Sequence, residues 1–153
     1  MIFLRNFEGE DASYLYERGY SGLSKEQIEA LICDWAKKEF NGRYFEMFAV
    51  VSDGKIVGMV SLYQHSSDVI SIGPEIFCGY RRKGFAKKAL FLACQIAKEK
   101  GFEMVSQQIR IDNAASIALH RSLGFETNGK VFPNAKGNQV AIYLKSLIQN
   151  KSR

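Results

Sequence analysis

Pro74-Glu-Ile-Phe-Cys-Gly-Tyr-Arg-Arg-Lys-Gly-Phe-Ala-Lys-Lys-Ala89 is the stretch that decides the fold. It reads as the end of a buried strand, a tight turn, and the first turn of a helix that continues to about Lys100. Helix N-termini carry partial positive charge and favour acidic residues, yet Arg81, Arg82, Lys83, Lys87 and Lys88 crowd this one. Left to itself such a helix end frays. It makes sense where an anion docks on the unpaired backbone N–H groups, ringed by cations. Gly84 and Ala86 carry almost no side chain, so a bulky anion can reach the backbone between them. The expected anion is a phosphate or pyrophosphate of a cofactor.

Working outward, the strand that enters this turn spans Val69 to Phe77 and contains Pro74. Proline removes a ladder hydrogen bond, so the strand is expected to be bulged or splayed from a neighbour there. Downstream, the helix from Lys83 turns Ala86, Ala89, Leu90, Ala93, Ile96 and Ala97 towards a core, with Gly101 as its C-cap. A strand over Met104 to Arg110 follows, then a helix from Asn113 to Leu123 ending at Gly124. Phe125 to Phe132 and Gln139 to Leu147 read as a last pair of strands around Pro133-Asn-Ala-Lys-Gly137. Upstream, Ile2 to Asn6 is a short strand, Asp11 to Arg18 a helix, and Ser24-Lys-Glu-Gln27 a capping box that opens a second helix. Ile28, Leu31, Ile32, Trp35 and Ala36 share one face of that helix, and Asn41-Gly42 is expected to end it. Tyr44 to Val51 and Ile56 to Tyr63 form a hairpin across Ser52-Asp-Gly-Lys55, whose Asp-Gly pair is a strong turn signal. The order predicts an α/β (α+β) domain with a mixed sheet, one domain over 1–147 and a tail over 148–153.

Composition narrows the class. The chain has 153 residues, 46% apolar, 24% charged and 12% aromatic, enough to bury a full core without disulfides or metal. Met1-Ile-Phe-Leu-Arg5 runs into acidic residues and has no signal-peptide pattern. The most apolar run, Ala89 to Ala97, is too short to span a membrane. Cys33, Cys78 and Cys94 share no metal-ligand spacing and read as buried thiols in a reducing compartment, which makes the cytoplasm the expected location. The net charge of +5 suits an anionic ligand, or is simply a moderately basic surface.

Among phosphate-binding motifs, Gly79 and Gly84 have the glycine spacing of a Walker A loop, but Phe85-Ala86 stands where Lys-Ser/Thr is required. No Gly-x-Gly-x-x-Gly exists. What remains is Arg81-x-x-Gly84-x-Ala86 and, one strand further on, Asn113-Ala-Ala-Ser116-Ile-Ala-Leu119-His120-Arg-Ser-Leu123-Gly124-Phe125. Together, in this order and spacing, the two segments resemble the signature of the GCN5-related N-acetyltransferase (GNAT) superfamily. The resemblance is close over Ser71 to Phe125 and covers the first 65 residues only in layout.

That resemblance implies a mostly antiparallel mixed sheet of six to seven strands with about four helices, splayed between the fourth and fifth strands. It implies transfer of an acetyl group from acetyl-CoA to a primary amine by direct attack on the thioester, with no metal. The amides of Arg82, Lys83, Gly84, Phe85, Ala86 and Lys87, beside Arg81, would cradle the pyrophosphate. The Ile76 N–H would face the thioester carbonyl, and Asn113 and Ser116 would contact the cofactor. An N-cap and a solvated helix serine are the plain alternatives for those two. His120 stands where the family usually has the tyrosine that protonates the leaving thiolate, and an imidazolium is able to do so; a packed histidine is the other reading. One branch of the family has a glutamate on the fifth strand where this chain has Gln108, so Glu75 is the expected base, with Glu103 next. The expected acceptor is a small molecule or a protein N-terminus or lysine, and the expected assembly a monomer or homodimer without membrane contact. The alternatives are a non-catalytic acyl-CoA-binding regulatory module and, last, a nucleic-acid binder, whose basic patch would lack interleaved aromatics.

Overall fold

A strand that is apolar on both faces needs cover on both sides, and the middle of this sheet is of that kind. Phe48, Ala49, Val50 and Val51 are buried in succession, as are Ile56 and Val57 on the next strand. The computed structural model describes residues 1–148 and meets this demand with helices on each face. Its elements are β1 (Ile2–Asn6), α1 (Asp11–Glu17), α2 (Lys25–Trp35), β2 (Glu39–Phe40), β3 (Arg43–Ser52), β4 (Lys55–Gln64), β5 (Val69–Ile76), α3 (Phe85–Glu99), β6 (Met104–Arg110), α4 (Ala114–Ser122), β7 (Phe132–Pro133) and β8 (Gln139–Ser146). The sheet order is β1-β3-β4-β5-β6-β8-β7, with β2 paired only to β3. Every neighbouring pair is antiparallel except β5 and β6, which α3 connects as a crossover.

The sheet divides the core. On one face Phe48, Val50, Val57, Val60, Leu62, Ile70 and Ile72 pack under Ala89, Leu90, Ala93 and Ala97 of α3. On the other, Ala49, Val51, Ile56 and Met59 meet Ala12 and Leu15 of α1 and Ile28 and Ile32 of α2. The capping box is formed: Gln27 N–H donates to Ser24 Oγ and Ser24 N–H to Gln27 Oε1. The hairpin turn places Asp53 and Gly54 at φ of 51° and 78°, the two left-handed residues that a two-residue turn needs.

Four expectations need correction. Asn41-Gly42 does not end α2, which stops at Trp35; its two positive φ angles instead turn the short β2–β3 hairpin. The strand expected over Phe125 to Phe132 is reduced to Phe132–Pro133 plus one bridge from Glu126 to Leu144. Helix α3 starts at Phe85, so Arg81, Arg82 and Lys83 lie in the preceding turn. Only Cys94 is a buried thiol; Cys33 and Cys78 are exposed, on the outer side of α2 and in the loop after β5. The two-residue strands β2 and β7 also raise the count to eight, so the splay expected between the fourth and fifth strands falls between β5 and β6. Apart from Ile148, the expected tail lies outside the described residues. No helix among the described residues is long and apolar enough to cross a membrane.

Candidate active site

Strands β5 and β6 pair over two positions only, Val69 with Met104 and Ile70 with Val105, and then diverge. The register of β5 with β4 runs unbroken through Val60 opposite Pro74. Phe77 N–H bonds Val57 O, so by alternation the N–H groups of Glu75, Gly73 and Ser71 also face β4. Those of Ile72 and Ile76, and the position of the missing Pro74 N–H, face the opening. Proline thus takes no bond from the β4 ladder and leaves the opened edge without a donor at its centre.

The gap is held by a side chain. Gln107, buried on β6, accepts from Ile72 N–H through Oε1 (2.9 Å) and donates to Ile72 O through Nε2 (2.6 Å). Both backbone groups of Ile72 are therefore satisfied as another strand would satisfy them, but by a spacer several atoms long. The second N–H of the Gln107 amide points to His120 Nε2 at 3.2 Å. His120 Nδ1 lies 2.8 Å from Ser116 O, which can only accept. These partners fix the tautomer: Nδ1 carries the proton and Nε2 accepts. His120 is 4% exposed, and its ring meets Phe125 edge to face at 4.8 Å. Burial pushes its pKa below the ordinary histidine value, against a smaller upward pull from Ser116 O. A proton on Nε2 would confront the Gln107 amide with a second donor.

The opening continues into two adjoining cavities on the α3 side of the sheet. One, of about 350 Å³, is lined by Ile72, Pro74, Gln107, Gln108, Asn113 and His120 among others. The other, of about 430 Å³, lies against Ile76, Arg81, Arg82 and the Gly84–Lys87 segment. Ala86, Ser116 and Leu119 line both. Helix α3 has no side-chain N-cap, and Gly84 (φ 82°) and Arg82 (φ 64°) bend the preceding turn through left-handed conformations. First-turn N–H groups without a capping side chain, among Arg82, Lys83, Lys87 and Lys88, make a cradle fit for a pyrophosphate. Arg81 is partly committed elsewhere, since its Nε donates to Ile76 O at 2.9 Å.

A third cavity, of about 220 Å³, lies across β5 on the α1–α2 side and is lined by Leu15, Arg18, Tyr20, Ser21, Glu75, Phe77 and Cys78. Successive strand residues point to opposite faces, so Ile72, Pro74 and Ile76 look into the first pair of cavities while Glu75 and Phe77 look into this one.

Ile76, Arg81, Arg82, Gly84, Phe85, Ala86, Lys87 and Ser116 thus surround one cavity, and Asn113 and His120 its neighbour. Lys83 stands in the same turn, and Glu75 is on the opposite face. Asn113 is the N-cap of α4, its Oδ1 accepting from Ser116 N–H at 3.0 Å. Glu103 precedes β6, at the end away from the opening, and lines none of these cavities. Gln107 was missed by sequence reasoning, although a signal existed: it is the polar residue in the buried alternation Val105, Gln107, Ile109 and so had to find partners inside.

Comparison with known proteins agrees with this fold. Residues 9–125 match the model of the acetyltransferase (GNAT) family. A curated relative, the SPbeta prophage-derived uncharacterized N-acetyltransferase YokL of Bacillus subtilis (strain 168), is 29% identical over 101 residues. The match covers 64% of this chain, and the chain spans 57% of the relative's length. The structure of yncA from Salmonella typhimurium with its cofactor acetyl-CoA superposes with a TM-score of 0.71 at 16% identity, covering 100% of this chain and 98% of that one. Mutant forms of the spermidine/spermine N-acetyltransferase SpeG from Vibrio cholerae give 0.76 at 17% identity, covering 96% and 95%. At these identities the two structures speak to the fold.

Proposed function

Because this chain belongs to the acetyltransferase (GNAT) family, we propose that it moves an acetyl group from acetyl-CoA to a primary amine by direct attack on the thioester. The observation that carries the reading is the continuity of the uncapped, basic N-terminus of α3 with the gap that Gln107 holds open along β5. A cradle for phosphates leads there into a slot edged by a strand with unpaired positions. Acetyl-CoA supplies an activated acetyl thioester and, in its pantetheine arm, amides able to bond that edge.

The chain's own residues do the rest. Amides of the Arg82–Lys87 segment hold the pyrophosphate, with the nearby cations adding charge-assisted bonds. The Ile76 N–H, on the open edge of β5, is aimed where the thioester oxygen gains negative charge; such a donor contributes about 10²–10³ in kcat. Asn113 and Ser116 border the cofactor from α4. Glu75, across the strand, is the carboxylate available to take the proton of the attacking amine. His120, with both ring nitrogens engaged, positions the Gln107 spacer, and water protonates the departing thiolate.

The test has two parts. Acetyl-CoA binding to the native state alone, at 100 times its dissociation constant, stabilises by about 2.7 kcal/mol and raises the melting temperature. Purified protein should then release CoA from acetyl-CoA when given an amine. A missing shift at millimolar CoA sinks the reading. The alternative, a non-catalytic acyl-CoA-binding module, is favoured by one observation: both ring nitrogens of His120 are engaged within the protein. A melting shift without turnover of any amine would support it.

A further inference from the structure

The cavity on the α1–α2 side of β5 presents two opposite charges that do not pair with each other. Arg18, the residue that closes α1, is exposed, and its guanidinium lies over three rings: Tyr14 at 4.6 Å, Tyr80 at 5.1 Å and Phe77 at 5.7 Å. Its Nη2 donates to Tyr80 Oη at 3.0 Å. The three rings crowd round the guanidinium cation, while its donors, apart from the one given to Tyr80, make no other hydrogen bond among the described residues. Among the described residues Arg18 forms no ion pair. Glu75 lines the same cavity and likewise forms none. Its charge is felt inside: the Tyr20 phenol is pushed above the ordinary tyrosine value, first by burial and then by the Glu75 carboxylate. Tyr20 and Ser21 sit in a tight loop, with Gly19, Ser21 and Gly22 all at positive φ, that closes this side of the cavity.

From this geometry we infer that the acceptor is a small amino acid-like molecule, with its carboxylate read by Arg18 and its ammonium by Glu75. The inference deepens the proposed transfer reaction, rests on it for the chemical step, and goes beyond it in naming the acceptor class. A cavity of about 220 Å³ is below the roughly 300–1,000 Å³ of sites for drug-sized ligands, which suits a compact acceptor. A polyamine would set a second cation against Arg18. A neutral amine would leave the guanidinium unmatched. A phosphate dianion would meet one guanidinium beside an anionic Glu75, whereas a carboxylate balances it one to one and takes its edge donors in parallel.

The experiment uses the full chain saturated with CoA, titrated calorimetrically with short α- and ω-amino acids, each beside its own carboxamide. At least one amino acid should bind about 10- to 100-fold more tightly than its carboxamide, the range of a hydrogen bond to a charged group. In Arg18→Gln that preference should vanish while carboxamide binding hardly changes, and Arg18→Lys should restore part of it. Glu75→Gln should weaken both members of a pair alike. Equal binding of the pair by the wild type, absence of binding by either at millimolar concentration, or a preference that survives Arg18→Gln overturns the inference. The same pairs, assayed with acetyl-CoA for acetylation, test the transferase reading separately: selective binding without turnover would count against transfer and still support the acceptor-site assignment.

Discussion

At the scale of single residues, the pair Gln107 and His120 carries the clearest consequences. A histidine whose pKa is lowered by folding binds fewer protons in the native state than in the unfolded one, so stability rises with pH across the interval between the two values. The contribution is full above about 6.5, the unfolded value, and is lost as pH falls through the lower folded value. Melting curves from pH 7.5 down to about 4.5 should show this decline, and His120→Gln should remove the part due to the imidazole. Catalysis gives a second readout. Held neutral between Ser116 O and Gln107, the ring acts by positioning the spacer, so His120→Ala should cost about 1–3 kcal/mol of stability by leaving buried groups unpaired. It should raise the KM for acetyl-CoA and leave any alkaline limb of the kcat–pH profile in place. A kcat loss of about 10²–10⁴-fold with disappearance of that limb would instead make His120 the proton donor. Sequence alone identified His120 as special by its place in a motif, but the partners that decide its charge come from a strand and a helix turn that only folding brings together.

At the scale of elements, β5 is positioned from behind by the absence of a side chain. A Cβ on Gly58 of β4 would stand 2.4 Å from Glu75 O and 2.9 Å from Ile76 Cα. Those atoms are backbone and yield only if the strand moves. Gly58→Ala should cost about 1–3 kcal/mol, the usual penalty of overpacking, and should lower kcat well below the melting temperature because the Ile76 N–H is displaced. Gly73→Ala, whose Cβ would meet Ser61 Oγ at 3.0 Å, is the milder comparison on the same strand; equal kcat losses in the two would show that Ile76 needs no such placement. The turn into α3 offers another test. Gly84 is left-handed with open space around it, so Gly84→Asn, which tolerates that conformation, should bind CoA far better than Gly84→Glu, which adds a negative charge at the cradle. Equal CoA affinity of the two variants, measured by calorimetry, would move the anion site elsewhere. Pro74 signalled a bulge or a splay because its missing donor interrupts any ladder it faces, and the unbroken register with β4 assigns it to the side that opens. The β2–β3 hairpin was not legible, because Asn-Gly ends helices and turns hairpins with the same left-handed angles, and only the neighbouring chain selects between them.

At the scale of the molecule, one buried carboxylate ties the layers together. Glu46 on β3 accepts from Tyr44 Oη and from Asn6 Nδ2 of β1, and lies 3.5 Å from Lys38 and 3.6 Å from Lys100, beyond the ends of α2 and α3. Glu46→Gln should lower stability by about 1–3 kcal/mol, as expected for a buried group losing charged partners, with little effect on the acetyl-CoA KM; thermal melting and initial rates check the two halves of that statement. The helical layers were readable from apolar periodicity and caps, whereas a tie that brings Asn6 and Lys100 to Glu46 from forty and more positions away has no local signature. The division of the cavities by β5 has a kinetic outcome. Two reactants that enter from opposite faces of one sheet need not displace each other, so neither must leave before the other arrives. Initial-rate plots should intersect rather than run parallel, and free CoA should compete with acetyl-CoA while remaining non-competitive towards the amine.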